Sequence, residues 1–120
     1  MKRQFYAQGD IVLERVPDGT SGAKAIASAI DPDNSVVLAR GEMTGHRHRF
    51  LPNSNVLFFR DDALARDIPS RLYLGHVKIA DKGGAELRHE EHETIKLPQG
   101  TYRVRRQREF DAGEARIVAD

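Results

Sequence analysis

Turn-forming residues divide this chain into short runs in which apolar and polar side chains alternate. Runs such as Ile11 to Val16 and Val36 to Arg40 are too short for stable helices, and their two-residue period is typical of half-buried strands. This pattern predicts an all-β fold, a small and partly closed antiparallel barrel or sandwich of about seven short strands. The clearest turn signals are Pro17-Asp18-Gly19, Asp31-Pro32-Asp33-Asn34, Pro52-Asn53-Ser54-Asn55, Asp81-Lys82-Gly83-Gly84 and Leu97-Pro98-Gln99-Gly100.

Length and composition narrow the class of protein. A chain of 120 residues is large enough for one hydrophobic core and too short for two, so a single β domain over residues 1–120 is expected. At most one short helix is expected, because the alanine-rich residues 22–30 fit either a helix or a loop. The absence of cysteine excludes disulfides, thiolate metal ligands and a cysteine nucleophile.

Charge and hydropathy bear on location and partners. The net charge of +1 excludes a general electrostatic attraction to nucleic acid. No apolar run approaches the roughly 20 residues that cross a bilayer, and the start of the chain lacks the apolar region of a signal peptide. A cytoplasmic protein with no membrane partner is therefore expected.

Four of the five histidines lie in two short segments, of which the first is Thr44-Gly45-His46-Arg47-His48-Arg49-Phe50. In an extended strand the side chains of His46, His48 and Phe50 share one face, and the two arginines share the other. Two such imidazoles are about 7 Å apart, a distance that a metal ion, a phosphate group or two proton transfers can bridge. Phe50 indicates that this face is semi-enclosed, where histidine pKa values can be tuned.

The second segment, Arg88-His89-Glu90-Glu91-His92, places two histidines three residues apart. At that spacing His89 and His92 share a face of a helix but lie on opposite faces of an unbroken strand. The flanking runs favour a strand. A bulge or turn at Glu90 or Glu91 is therefore needed to bring both histidines to one side, and without it only one of them joins the first segment.

The turn at residues 81–84 sets the expected pairing of the strands on either side of it. If Lys82 and Gly83 form a two-residue hairpin turn, His76 lies directly opposite His89. The fifth histidine then joins the other four.

Arginine provides 14 of the 19 basic residues, and four arginines fall within residues 103–108. Its guanidinium group suits phosphate and carboxylate recognition better than the lysine ammonium group does. Strand alternation puts Arg106 and Arg108 on the apolar side of their strand, where a guanidinium group needs an anionic partner. A type I turn at residues 97–100 sets Glu91 opposite Arg106 and His89 opposite Arg108, and the remaining positive charge is expected to meet a ligand.

Several segments together resemble those of a family of small uncharacterised bacterial proteins to which no activity is assigned. They are Gln8-Gly9-Asp10, residues 41–49, His89-Glu90-Glu91-His92, residues 97–104 and residues 107–109. A weaker resemblance is to the cupins, whose first motif has a glycine, His-x-His and a glutamate, and whose second has Pro-x-Gly and a histidine. The matching residues are Gly41, His46, His48, Pro98 and Gly100. No glutamate follows His48 at the cupin distance and Arg103 replaces the last histidine, so cupin-type oxygen chemistry is not expected.

The two histidine segments predict an enzyme that cleaves phosphodiester bonds by acid and base catalysis, with RNA as the expected substrate. Phosphoryl chemistry requires a base, an acid and positive charge where oxyanion charge develops. One histidine of the first segment is the expected base, one of the second is the expected acid, and a neighbouring glutamate holds an imidazole in its working tautomer. The expected catalytic residues are His46, His48, His89, His92 and Glu91. The expected ligands of the phosphate group are Arg49, Arg106 and Arg108.

Two alternatives are left open, as is the question of whether the protein is an enzyme. The first is a metal-binding β module, catalytic as a metal-dependent hydrolase or not, with zinc or another nitrogen-preferring divalent ion. Its expected ligands are His46, His48, His89, His92 and Glu90. The second is a non-enzymatic domain that binds RNA or protein. Edge strands rich in arginine would also allow two chains to pair as a homodimer, which the sequence does not decide.

Overall fold

The computed structural model describes residues 4–18, 23–41, 43–111 and 114–117, with side chains as far as residue 107. This part of the chain contains two 3-10 turns, Ala27–Ala29 and Asp62–Ala65, and eleven strands. The strands are β1 (Phe5–Gln8), β2 (Ile11–Val16), β3 (Val36–Arg40), β4 (Arg47–Phe50), β5 (Val56–Phe59), β6 (Tyr73–Ile79), β7 (Ala85–Arg88), β8 (Ile95–Leu97), β9 (Gly100–Arg106), β10 (Arg108–Asp111) and β11 (Glu114–Ile117).

Nine of the described strands form two antiparallel sheets, which confirms the expected all-β class. The larger sheet has the order β1-β2-β9-β6-β5, and the smaller has the order β3-β4-β7-β8. The remaining pair, β10 and β11, forms a separate hairpin. The described residues contain no helix with the length and hydrophobicity needed to span a lipid bilayer.

The core lies between the two sheets and follows from the alternation of the strands. Ile11 and Leu13 on β2 are completely buried, and they pack in one cluster with Phe50 from β4 and Leu87 from β7. Because each strand turns one apolar face inward, the sheets stack as a sandwich. The burial of these side chains is the main force that holds the two sheets together.

The expected pairing of β6 with β7 is wrong, because these strands belong to different sheets. β6 pairs with β5 and β9, so His76 lies beside Phe59 and Arg103 instead of His89. Its Nδ1 atom is 2.5 Å from the hydroxyl oxygen of Tyr73, and its ring stacks on Phe59 with the centroids 5.6 Å apart. The fifth histidine is therefore a core residue, separate from the other four.

The pairing expected across the second turn is wrong for the same reason. β8 pairs with β7, whereas β9 pairs with β2 and β6. Glu91 is thus not opposite Arg106, and His89 is not opposite Arg108. Counting from a hairpin assumes that a tight turn joins neighbouring strands, but here both turns carry the chain from one sheet to the other.

Candidate functional site

The first histidine segment occupies the tip and one arm of the hairpin formed by β3 and β4. Gly45 has a φ of 73° at the tip, and the strand begins at Arg47. His48 projects inward with Phe50, and both side chains are completely buried. His46 precedes the strand and keeps 25% of its side chain exposed, so it lies at the rim of the molecule.

The second segment bends after β7 ends, and the bend brings both of its histidines to the first segment. The ring centroids of His48 and His89 are 4.4 Å apart, those of His89 and His92 4.5 Å, and those of His46 and His89 5.5 Å. His48 and His92 are nearly parallel at 6.2 Å. We call these four residues the histidine cluster. The bend is the turn that was expected to be necessary for His89 and His92 to face the same side.

His48 forms the buried floor of the histidine cluster. Its Nδ1 is 2.9 Å from Oε1 of Gln8, and its Nε2 is 3.3 Å from Oδ1 of Asp10. An amide oxygen only accepts hydrogen bonds, so Nδ1 carries a hydrogen. Because both ring nitrogens face buried groups, His48 cannot reach a substrate from this position, and its ring instead supports that of His89.

Asp10 lies in the turn between β1 and β2 and is 1% exposed. Its second oxygen accepts a hydrogen bond from Arg106, which also donates to the carbonyl oxygen of Arg40 at 3.0 Å. Burial raises the pKa of Asp10, but the contact with His48 and the charge of Arg106 outweigh burial and hold this pKa below its ordinary value. Asp10 is therefore an ionised carboxylate shared between a histidine and an arginine.

His89 has a defined tautomer. Its Nδ1 accepts hydrogen bonds from the backbone N–H groups of Glu91 at 3.0 Å and His92 at 3.2 Å. A nitrogen that accepts two such bonds carries no hydrogen, so the hydrogen of the neutral ring is on Nε2. The same two bonds stabilise the bend of the chain.

Two carboxylates flank the histidine cluster on its open side. Both oxygens of Glu90 accept the backbone N–H of Arg47, at 2.8 and 3.2 Å. Burial raises the pKa of Glu90, but this backbone hydrogen bond and the nearby histidines lower it below its ordinary value. Oε1 of Glu91, a side chain that is 61% exposed, is 3.5 Å from Nδ1 of His46.

Three of these side chains converge as potential metal ligands. One nitrogen each of His46 and His89 and one oxygen of Glu90 lie within 4.8 Å of one another. Two imidazoles and a carboxylate are a ligand set that divalent zinc accepts. The other expected ligands, His48 and His92, are outside this group: His48 lies beneath it, and the ring of His92 lies against that of His89 at a tilt of 42°.

The arginines expected at a phosphate group are directed elsewhere. Arg49 lies on the other face of β4 and donates to Oγ of Ser35 at 2.9 Å. The expected partner of Arg106 was Glu91, but its guanidinium group is bound to Asp10. The side chain of Arg108 lies outside the described residues. Neither described arginine is therefore in position to bind an anion at the histidine cluster.

Gln8 and Asp10 belong to the site, although the sequence predicted only a turn there. Both are buried, and they approach His48 from β1 and from the turn that follows it. The available signal was a pair of polar residues on either side of Gly9, between two runs of strand residues. Buried polar groups need partners, but the sequence does not show that His48 would be the partner.

Comparison with known proteins yields one family. The chain matches the family described as "Domain of unknown function (DUF8820)" over residues 7–107. No curated protein and no solved structure matches it. The match confirms the expected uncharacterised family, whereas a bacterial origin and the cupin-like outline stay predictions.

Proposed function

This chain belongs to the DUF8820 family of domains of unknown function, and from the geometry of its histidine cluster we propose that it binds a divalent metal ion in a hydrolytic centre. The ligands are one ring nitrogen each of His46 and His89 and one carboxylate oxygen of Glu90. The observation that carries the proposal is the convergence of these atoms to within 4.8 Å of one another. Zinc is the ion that two imidazoles and a carboxylate fit best.

The distances require only a small closure of the site. A tetrahedral zinc ion about 2.1 Å from each ligand holds the ligand atoms about 3.4 Å apart, so no pair of ligand atoms has to approach by more than about 1.4 Å. His46 at the half-exposed hairpin tip and Glu90 on the exposed bend have room for this movement. The two flanking carboxylates also favour a cation over an anion at this position.

The tautomer of His89 sets a cost for metal binding. If the metal binds Nε2, the ring hydrogen must move to Nδ1. If it binds Nδ1, it occupies the lone pair there. In either case the backbone N–H groups of Glu91 and His92 lose their acceptor. Losing two such bonds costs about 0.5–1.5 kcal/mol each. Metal binding must outweigh this cost, and the bend rearranges on binding.

Three protein ligands are typical of a catalytic metal centre, not of a structural one. Zinc held in this way leaves a position for water, whose pKa it lowers to about 7. Glu91 is exposed and lies beside His46, which makes it the residue that accepts the proton. We propose a phosphodiester as the substrate class on the basis of the two histidine segments; because Arg49 and Arg106 are directed elsewhere, the metal ion would have to supply the positive charge.

Zinc titration of protein purified without a polyhistidine tag tests this proposal. We expect one ion per chain by elemental analysis and calorimetry, and a stabilisation of about 2.7 kcal/mol when free zinc is 100 times its dissociation constant. His46→Gln and Glu90→Gln are expected to weaken binding, whereas the matched variant His76→Gln in the core is not. The amide resonances of Glu91 and His92 are expected to shift with zinc. No stoichiometric ion, or equal affinity in all three variants, would overturn the proposal.

A metal-free reaction is the second candidate, and the tautomer of His89 favours it. With its hydrogen on Nε2, neutral His89 is arranged to donate a hydrogen bond to an oxyanion that develops in the reaction. The two candidates separate in EDTA: cleavage of labelled RNA that persists in EDTA and is abolished by His89→Asn supports the metal-free reaction. Cleavage that stops in EDTA and returns with zinc supports the metal centre.

A further inference from the structure

We propose that Gln8 is a positioning residue for the metal centre. Its side chain holds His48 and both ends of the segment that carries His89 and His92. Its effect on metal binding rests on the function proposed above. Its effects on the hydrogen bond from Nδ1 of His48 and on the order of the bend do not, and they are measured without metal.

One side chain makes all of these contacts. Nε2 of Gln8 donates to the carbonyl oxygens of Leu87 at 2.8 Å and Glu93 at 2.9 Å. Oε1 is 2.9 Å from Nδ1 of His48. A glutamine amide has two N–H donors, and both are used on the two residues that bracket the second histidine segment.

The two donated bonds decide how the amide is oriented. A flipped amide would turn its oxygen toward two carbonyl oxygens, which is repulsive, so Oε1 must face His48. The orientation of Gln8 in turn makes Nδ1 of His48 the donor. A single amide thereby couples the floor of the histidine cluster to the bend above it.

The position of Gln8 in the fold explains why an amide is needed. The pairing of β7 with β8 reaches only Leu87 and Ile95, and the chain between them opens into the bend. The carbonyl groups of Leu87 and Glu93 lie on either side of this opening, and each accepts a hydrogen bond from outside it. Gln8, at the end of β1 and 3% exposed, supplies both from the other sheet.

Gln8→Met tests this role, because methionine has nearly the same length and no donor or acceptor of comparable strength. Zinc affinity measured by calorimetry is expected to fall about 10- to 100-fold, the usual effect of removing a group that orients a metal ligand. In the metal-free protein, NMR is expected to show that the hydrogen-bonded Nδ1–H signal of His48 is lost, because Nδ1 no longer has an acceptor. Amide hydrogen exchange at Glu91 and His92 is expected to accelerate.

Two variants control for general loss of stability. Gln99→Met removes a similar amide bond, from Nε2 of Gln99 to the carbonyl oxygen of Ala80 at 2.9 Å, far from the cluster. Ile79→Val weakens the core of the larger sheet. Both are expected to keep the zinc affinity, the Nδ1–H signal of His48 and the exchange rates of the bend at wild-type values.

Gln8→Glu separates the two contacts and is available if Gln8→Met does not fold. Its carboxylate still accepts from His48 but has no hydrogen for Leu87 and Glu93, so the Nδ1–H signal of His48 is expected to persist while exchange in the bend accelerates. The inference is overturned if Gln8→Met leaves the Nδ1–H signal of His48 and the exchange rates unchanged, if Gln8→Glu leaves the exchange rates unchanged, or if Gln99→Met alters them equally. A wild-type protein that binds no metal overturns the proposed function, and the NMR result still decides the role of Gln8.

Discussion

Nε2 of His48 lies 3.3 Å from Oδ1 of Asp10, and the two side chains are 0% and 1% exposed. The other oxygen of Asp10 is bound by Arg106. These three residues come from β4, the turn between β1 and β2, and the end of β9, so the group joins the two sheets. The floor of the histidine cluster is thus tied to the larger sheet by polar contacts as well as by packing.

Replacing Asp10 with asparagine keeps the shape of the side chain and removes its charge. Arg106 then loses its anionic partner while only 19% of its side chain is exposed, and His48 loses the carboxylate beside Nε2. We expect the free energy of unfolding to fall by about 3 kcal/mol, as for other buried ion pairs from which one partner is removed. Urea denaturation at pH 7 measures this change.

The control for Asp10→Asn is the same substitution in an exposed ion pair. Asp62 pairs with Arg60 at 3.0 Å, and its side chain is 80% exposed. Asp62→Asn is expected to change stability by less than about 1 kcal/mol. Equal losses in the two variants would contradict a structural role for the buried pair.

The lowered pKa of Asp10 predicts a specific loss of stability in acid. A carboxyl group with a pKa lower in the folded protein than in the unfolded chain stabilises the fold above about pH 4, and this contribution disappears as the pH falls through the folded pKa. We expect wild-type protein to lose more stability than Asp10→Asn between pH 5 and pH 3. Denaturant midpoints across this range provide the measurement, and parallel curves would show that Asp10 is not responsible.

The histidine cluster follows from local rules, which is why the sequence predicted it. His48 and Phe50 share a face through strand alternation, and the charged pair between His89 and His92 marks the bend. The strand pairing was not predictable in this way, because it depends on which sheet each strand joins. β6 and β8 are both followed by tight turns, yet each turn leads to the opposite sheet.

For Arg106 the sequence predicted the need for an anionic partner but not which residue is that partner. Alternation placed it on the apolar face of β9 and required an anion there, and a buried carboxylate does bind it. The partner is Asp10 instead of Glu91, because β9 pairs with β2 and not with β8. Contacts between residues so distant in the chain depend on topology, which a single sequence does not reveal.

The lowered pKa of His76 predicts a second pH dependence of stability, at higher pH than that of Asp10. Burial lowers its pKa below the ordinary value of 6.5, although Asp61 partly opposes this effect. As the pH falls, His76 is therefore protonated in the unfolded chain before it is protonated in the folded protein. Its contribution to the free energy of unfolding is fully present above about pH 6.5 and decreases as the pH falls toward the folded pKa. We expect a smaller decrease between pH 7 and pH 5 in His76→Gln than in wild type. An equal decrease in both proteins would assign the effect to the other histidines.

Gly84 and Gly83 are adjacent, but only Gly84 is expected to resist substitution. Gly84 has a φ of 79°, and an added Cβ would overlap the carbonyl oxygen of Leu97, whereas a Cβ at Gly83 would meet only the carboxylate of Asp81 at 3.7 Å. The left-handed backbone alone costs alanine about 1–2 kcal/mol, and the overlap must also push β7 from β8. We therefore expect Gly84→Ala to lose more than about 2 kcal/mol and Gly83→Ala to stay within about 0.5 kcal/mol of wild type in urea denaturation. Similar midpoints for the two variants would show that this turn does not hold the two strands together as described, because the clash exists only if β7 starts directly against the end of β8.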